Sequence, residues 1–132
     1  MFTTTVSPRF GDMDLLGHIN NTVIAAWFEF ARNPLIRIFD PGLELKRESF
    51  PLTIAHTDYD FLDQIYFQND VEIRTWIKKI GNKSFTAYHE AWQKERLCVR
   101  GSAVMVHFDF ISGKTTSIPE DRKKLLAEHM LN

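Results

Sequence analysis

Asn21-Thr22-Val23-Ile24-Ala25-Ala26-Trp27-Phe28-Glu29-Phe30-Ala31-Arg32 is the stretch on which the fold turns. Asn20 or Asn21 is suited to start a helix here, because an Asn side chain accepts from the free N–H groups of a first turn. Val23, Ile24, Ala25, Ala26, Trp27, Phe28, Phe30 and Ala31 cover nearly every side of that helix. A helix that is apolar all round is a buried one. Its polar residues Glu29 and Arg32 then need partners, and an ion pair between them, within or between subunits, is the expectation. Pro34 removes a backbone donor and disfavours helical geometry at Asn33, so a kink or restart is expected there. Leu35, Ile36, Ile38 and Phe39 continue the apolar surface until Asp40-Pro41-Gly42 ends it.

Strand patterns lie on either side. Phe2 to Arg9 is Thr-rich and extended, and Phe50 to Phe61 reads as a further strand. From Asp70 to Ile80, Val71, Ile73, Thr75 and Ile77 alternate with Glu72, Arg74, Trp76 and Lys78, the period of a half-buried strand. Ser84 to Gln93 repeats the pattern, with Phe85, Ala87, His89 and Ala91 on one face. Leu97 to Phe110 is a long strand, and turns are expected at Gly81-Asn82-Lys83, Lys94-Glu95-Arg96 and Ser112-Gly113-Lys114. Ser117 and Glu120 have capping-box spacing ahead of a last helix with Pro119 in its first turn. The layout is α+β: about five mostly antiparallel strands, with a sheet curled around a central helix.

Composition narrows the function. The 132 residues are the size of one domain, expected over 1–132, and bury roughly two-thirds of their unfolded surface. Sixteen basic and 17 acidic residues leave a net charge of -1, which excludes the basic excess of a nucleic-acid module or a polybasic membrane surface. The one cysteine, Cys98, permits no internal disulfide and no multi-cysteine metal site, and has no visible activating neighbour. Met1 to Arg9 lacks the basic start and apolar run of a signal peptide, and no stretch approaches the ~18 apolar residues of a membrane span. The expectation is a cytoplasmic chain without membrane or nucleic-acid partners.

Chemistry concentrates in Arg9-Phe10-Gly11-Asp12-Met13-Asp14-Leu15-Leu16-Gly17-His18-Ile19-Asn20-Asn21. Two acids, a histidine and two amides feed a helix N-terminus, whose unpaired N–H groups and positive dipole end suit a developing oxyanion. A carboxylate beside it serves as general base or nucleophile. Asp14 and His18 alone, with no third ligand nearby, make a poor metal site.

The string from Phe10 to Asn21, followed by Glu29-Phe30-Ala31-Arg32, resembles the 4-hydroxybenzoyl-CoA thioesterase family of the hotdog fold. That family's pattern is close to D-x-D-x-x-G-H-V-N-N and then E-x-A-R. Asp58-Tyr59-Asp60-Phe61-Leu62, Asn69-Asp70, Ile80 to Phe85, Val106 to Asp109 and Ile118-Pro119-Glu120 extend the likeness along almost the whole chain. Departures are Asn21 where some members carry histidine, Leu16 where plant-type members carry asparagine, and Ile24 where many carry tyrosine.

The resemblance implies a long helix wrapped by an antiparallel five-stranded sheet. It implies hydrolysis of an acyl thioester of coenzyme A or of an acyl carrier protein, without metal or bound cofactor. It also implies a homodimer or homotetramer with active sites at the subunit interface. Asp14 matches the catalytic carboxylate, as base on water or as nucleophile forming an anhydride. His18 would orient water or polarise the carbonyl, or instead fix the loop. Substrate-binding positions would be Asn20, Asn21, Val23, His56, Lys83 and Ser84, with backbone N–H groups after Asn20 and Asn21 holding the thioester oxygen. Asp12 reads as structural. Lys78, Lys79, Lys83 and Arg100 are candidates for coenzyme A phosphates, set against a solvated strand face. A hotdog hydratase or dehydratase, or a thioester-binding protein without turnover, are the competing functions.

Overall fold

The computed structural model describes residues 1–132. Strand β1 (Phe2–Val6) stops ahead of Ser7-Pro8, and a short 3-10 turn (Phe10–Asp12) leads into the loop before α1 (Asn21–Ala31). Then come α2 (Asn33–Phe39), β2 (Leu52–Phe61), β3 (Val71–Ile80), β4 (Ser84–Gln93), β5 (Arg96–Asp109), β6 (Lys114–Thr115) and α3 (Glu120–Ala127). The sheet order is β1-β3-β4-β5-β2, every pairing antiparallel, with β6 on the end of β5. This is the hotdog arrangement.

The period-2 strands form as their pattern dictates. Val71, Ile73, Thr75 and Ile77 of β3, and Phe85, Ala87, His89, Ala91 and Gln93 of β4, all turn inward and are buried. Lys94 and Glu95, both at positive φ, make a two-residue hairpin whose twist matches the flanking strands. The concave face takes α1 through Ile24, Trp27, Phe28 and Ala31, against Val71, Ile73, Ala91 and Val99. Pro34 sits in the first turn of α2, so the helix restarts as expected, with Arg32 as the shared cap of both segments. A second cluster joins Leu35 of α2 to Ile77, Phe85, Ala87, Met105, Ile118 and Leu126.

Two expectations are corrected. The helix is not buried all round in a single chain: Ala25, Ala26 and Phe30 are exposed, because the sheet covers only one side of α1. The capping box at Ser117 is not formed. The amide of Ile118 donates to the Asn82 carbonyl at 2.9 Å and its side chain is buried, so the chain is held extended until Pro119, which takes the cap position without a side-chain bond.

Gly101 of β5 carries a backbone constraint. A Cβ there would collide with the Asp58 carbonyl oxygen and stand 3.3 Å from the Phe28 ring. Backbone oxygen cannot swing aside, so Gly101→Ala must spread β2 from β5. We expect it to destabilise the fold by about 3 kcal/mol, read as a lower denaturant midpoint.

Candidate active site

The loop ahead of α1 is built from its own polar residues. Asp12 is buried; its Oδ2 accepts from the Arg9 amide at 2.8 Å, and its carbonyl accepts from Asn20 N–H at 2.8 Å. That fixes Asp12 as the structural acid. Asn20 is the N-cap, and its Oδ1 accepts from the Thr22 amide at 3.0 Å and the Thr22 hydroxyl at 2.9 Å.

Asp14 closes the next turn. Its amide donates to the His18 carbonyl at 2.7 Å, and Gly17 supplies the positive φ that the return requires. Its Oδ1 accepts from the amides of Leu16 at 2.8 Å and His18 at 3.2 Å. Both bonds fall on one oxygen, which leaves Oδ2 for another partner. Across from it, the Asn21 amide is a first-turn N–H with no carbonyl partner in the chain.

Asp14, Asn20 and Asn21 line one cleft of about 740 Å³, whose opposite wall is Phe61-Leu62-Asp63-Gln64-Ile65. Asp63 is held there by the Gln64 amide and an ion pair with Arg96, which together keep its carboxyl below the usual range. The sequence marks only Phe61 and Leu62 of this wall, since Asp63-Gln64-Ile65 carry no periodic pattern.

The remaining candidates fall in different places. His18 stands edge-on to the Tyr66 ring, 5.2 Å between centroids, on the strand-like bridge that anchors the loop. Val23 is half-buried against the α1 core cluster. His56 lies on the outer face of β2, paired to Asp58 at 3.2 Å, away from the cleft. The cause is the register shift between Ile54 and His56. One extra residue at Ala55 reverses which side chains turn inward, so Ile54, Thr57, Tyr59 and Phe61 face the helix and His56 does not. Lys83 and Ser84 lie beside His107 and Val106, at the end of the sheet opposite the Asp14 cleft of the same chain. Arg100 is engaged by Asp60 at 3.2 Å, and Lys78 lies over the Tyr88 ring. Cys98 is buried, which pushes its thiol up and away from reactivity.

One polar constellation escapes sequence reading. Thr75, His89 and Arg32 form a buried chain: Thr75 Oγ1 to His89 Nδ1 at 2.8 Å, and His89 Nε2 to the Arg32 guanidinium at 3.5 Å. Arg32 therefore meets a histidine, and the expected internal ion pair with Glu29 is not made. Facing a cation, Nε2 must accept, so His89 donates from Nδ1 to Thr75. Burial, and then the Arg32 charge, pull the His89 pKa down to about 3, which keeps the ring neutral. The hint in the sequence is a histidine at an inward position of an alternating strand.

A hotdog sheet around α1, with a loop carboxylate beside the open N-terminus of that helix, defines a class of protein. The family model of the Thioesterase-like superfamily matches residues 8–126, and the chain belongs to that superfamily. A predicted thioesterase from Bacillus stearothermophilus is 37% identical, with 99% of this chain and 97% of that one covered and a TM-score of 0.94. A thioesterase from Thermus thermophilus, solved with coenzyme A and Zn, is 25% identical over 96% of this chain and 91% of that one, TM-score 0.80. A 4-hydroxybenzoyl CoA thioesterase variant complexed with 4-hydroxybenzoyl CoA shares the fold, at 20% identity, 95% and 97% coverage and a TM-score of 0.78. No helix is long and apolar enough to cross a membrane.

Proposed function

We propose that the chain hydrolyses acyl thioesters of coenzyme A, with Asp14 as the catalytic carboxylate. The observation that carries this is the pairing, in one cleft, of the Asp14 carboxylate, with one oxygen unengaged, and the open N-terminus of α1. The thioester oxygen is placed on the Asn21 amide, where the helix end stabilises negative charge as the carbonyl carbon is attacked. As a base, Asp14 takes a proton from water; hydroxide adds to the carbonyl carbon, the C–S bond breaks, and the proton passes to the leaving sulfur. As a nucleophile, its free oxygen displaces the thiolate directly, and water then hydrolyses the mixed anhydride. Neither course calls on a metal or a bound cofactor. His18, bonded through its backbone to the Asp14 turn, positions the loop.

The active unit is a homodimer. β2 ends the sheet with ten residues whose outer edge has no strand beside it, and the exposed Ala25 of α1 lies across a cleft from it. A long unpaired edge is a site for a second strand. Antiparallel pairing of two β2 strands brings the Leu52 end of one copy to the Phe61 end of the other. Lys83 and Ser84 then stand near the partner's cleft, where they suit coenzyme A phosphates. The coenzyme A bound by the Thermus thermophilus thioesterase supports coenzyme A over a carrier protein.

The test is thiol release from acyl-CoA esters, short-chain through long-chain and benzoyl. Turnover of at least one ester is expected. Failure of all of them, with binding retained, would leave a thioester-binding protein.

A further inference from the structure

Arg32 is 5% exposed, and the one hydrogen-bonding contact of its guanidinium within the chain is the long one to neutral His89. A guanidinium carries five donors, and a buried cation without a counter-charge is costly. No buried polar side-chain atom in the molecule is orphaned, so the unused donors of Arg32 face open space. That space is a second cleft of about 510 Å³, mostly apolar, which Arg32 lines with Ala25, Ile36, Leu52, Tyr59 and Met105.

The two clefts follow one another along the same walls. Asn21, Ala25, Glu29 and Arg32 lie at i, i+4, i+8 and i+11, a single stripe down one side of the helix. Phe61 faces the first cleft, and Tyr59, Thr57 and Ile54, inward residues of the same strand, face the second. Together they make a groove that begins at the Asn21 amide and ends at a desolvated cation. Eleven residues of helix advance about 16 Å; the Arg32 side chain leans back toward the helix N-terminus, and a zig-zag chain advancing ~1.25 Å per bond covers the remainder with on the order of ten carbons.

We infer that this groove takes the acyl part of the substrate, and that Arg32 binds a carboxylate carried at its far end. The preferred substrate class is then a monothioester of a medium-length dicarboxylic acid. This rests on the thioesterase reading of the Asp14 cleft. A planar fork of donors matches a carboxylate in two bonds, and the low-polarity surroundings strengthen both. Glu29 lines the same cleft and its charge favours the Arg32 cation from a distance, but it is exposed and makes no ion pair with Arg32, so the guanidinium donors stay free for a ligand. Burial lowers the Arg32 pKa, yet an arginine stays charged at any working pH.

The experiment compares decanoyl-CoA with the mono-CoA ester of decanedioic acid, on the native protein and on Arg32→Met. Because the histidine that Arg32 meets is neutral, an apolar side chain of similar length there leaves no buried charge unpaired. The native protein should favour the carboxylated ester by roughly tenfold or more in kcat/KM, mainly through KM. In Arg32→Met that ratio should fall to about one or invert. A native protein that treats the esters alike, or a variant that keeps the preference, would overturn the inference. A second measurement needs neither variant nor turnover: calorimetric binding of free decanedioate against decanoate. If neither ester is cleaved, the thioesterase reading fails alone, and this comparison decides Arg32. Tighter decanedioate binding supports its role and equal binding removes it.

Discussion

Asp14→Asn should retain the fold and lose hydrolysis by a hundredfold or more, on the order expected when a general base is removed. The substitution separates the two things this side chain does. Asn keeps a carbonyl oxygen where Oδ1 accepts from Leu16 and His18, so the turn survives. It forfeits the charge and basicity of the second oxygen. If the only task of Asp14 were to close the turn, the variant would turn over like the native protein. The check is kcat on the best ester of the panel, with the thermal midpoint measured alongside. Unchanged turnover would remove Asp14 from the mechanism.

Acid should unfold the protein earlier than its surface carboxylates would suggest. His89 ionises near pH 6.5 in an unfolded chain and only at about 3 when folded, because burial and Arg32 oppose its charge. Between those values the unfolded chain binds a proton that the native one refuses. Stability is therefore complete above about pH 6.5 and is lost as the pH falls toward 3, at up to about 1.4 kcal/mol per pH unit. Over the whole interval the loss is on the order of 5 kcal/mol, comparable with the entire stability of many domains. His107 and His129, also held low by burial, add smaller losses of the same sign. Denaturant midpoints from pH 7 to 4 measure the slope. His89→Gln keeps a polar group between Thr75 and Arg32 and should flatten it by about one proton. An equal slope in that variant would assign the acid sensitivity elsewhere.

Local chemistry makes much of this legible. β4 alternates over all ten residues and β3 does so as far as Ile77, after which a bulge at Lys78 turns Ile80 back toward the core. Asn20, Pro34 and the Asp-rich loop announce where α1 starts, where it restarts, and which carboxylate sits at its head. What the sequence does not carry is set by distant partners. Ser117 has the right spacing for a cap, but Ile118 is tied to the Asn82 carbonyl 36 residues earlier. His56 sits on the wrong side of β2 because a bulge changes the parity, and nothing in Ile54-Ala55-His56 signals one. Counting the apolar sides of α1 overstates its burial, because one sheet can cover only one of them.

The sheet order also separates the molecule in time. β3, β4 and β5 are joined by short turns and zip to their sequence neighbours, whereas β2 must reach past both β3 and β4 to find β5. Contacts between near neighbours close first, because a longer loop costs more entropy to close. The meander is thus the early scaffold, and β2 and α1 dock onto it late. These late pieces form both walls of the groove. The working surface is the last part of the fold to be assembled, and the groove exists only once β2 and α1 have both docked on the three-stranded scaffold.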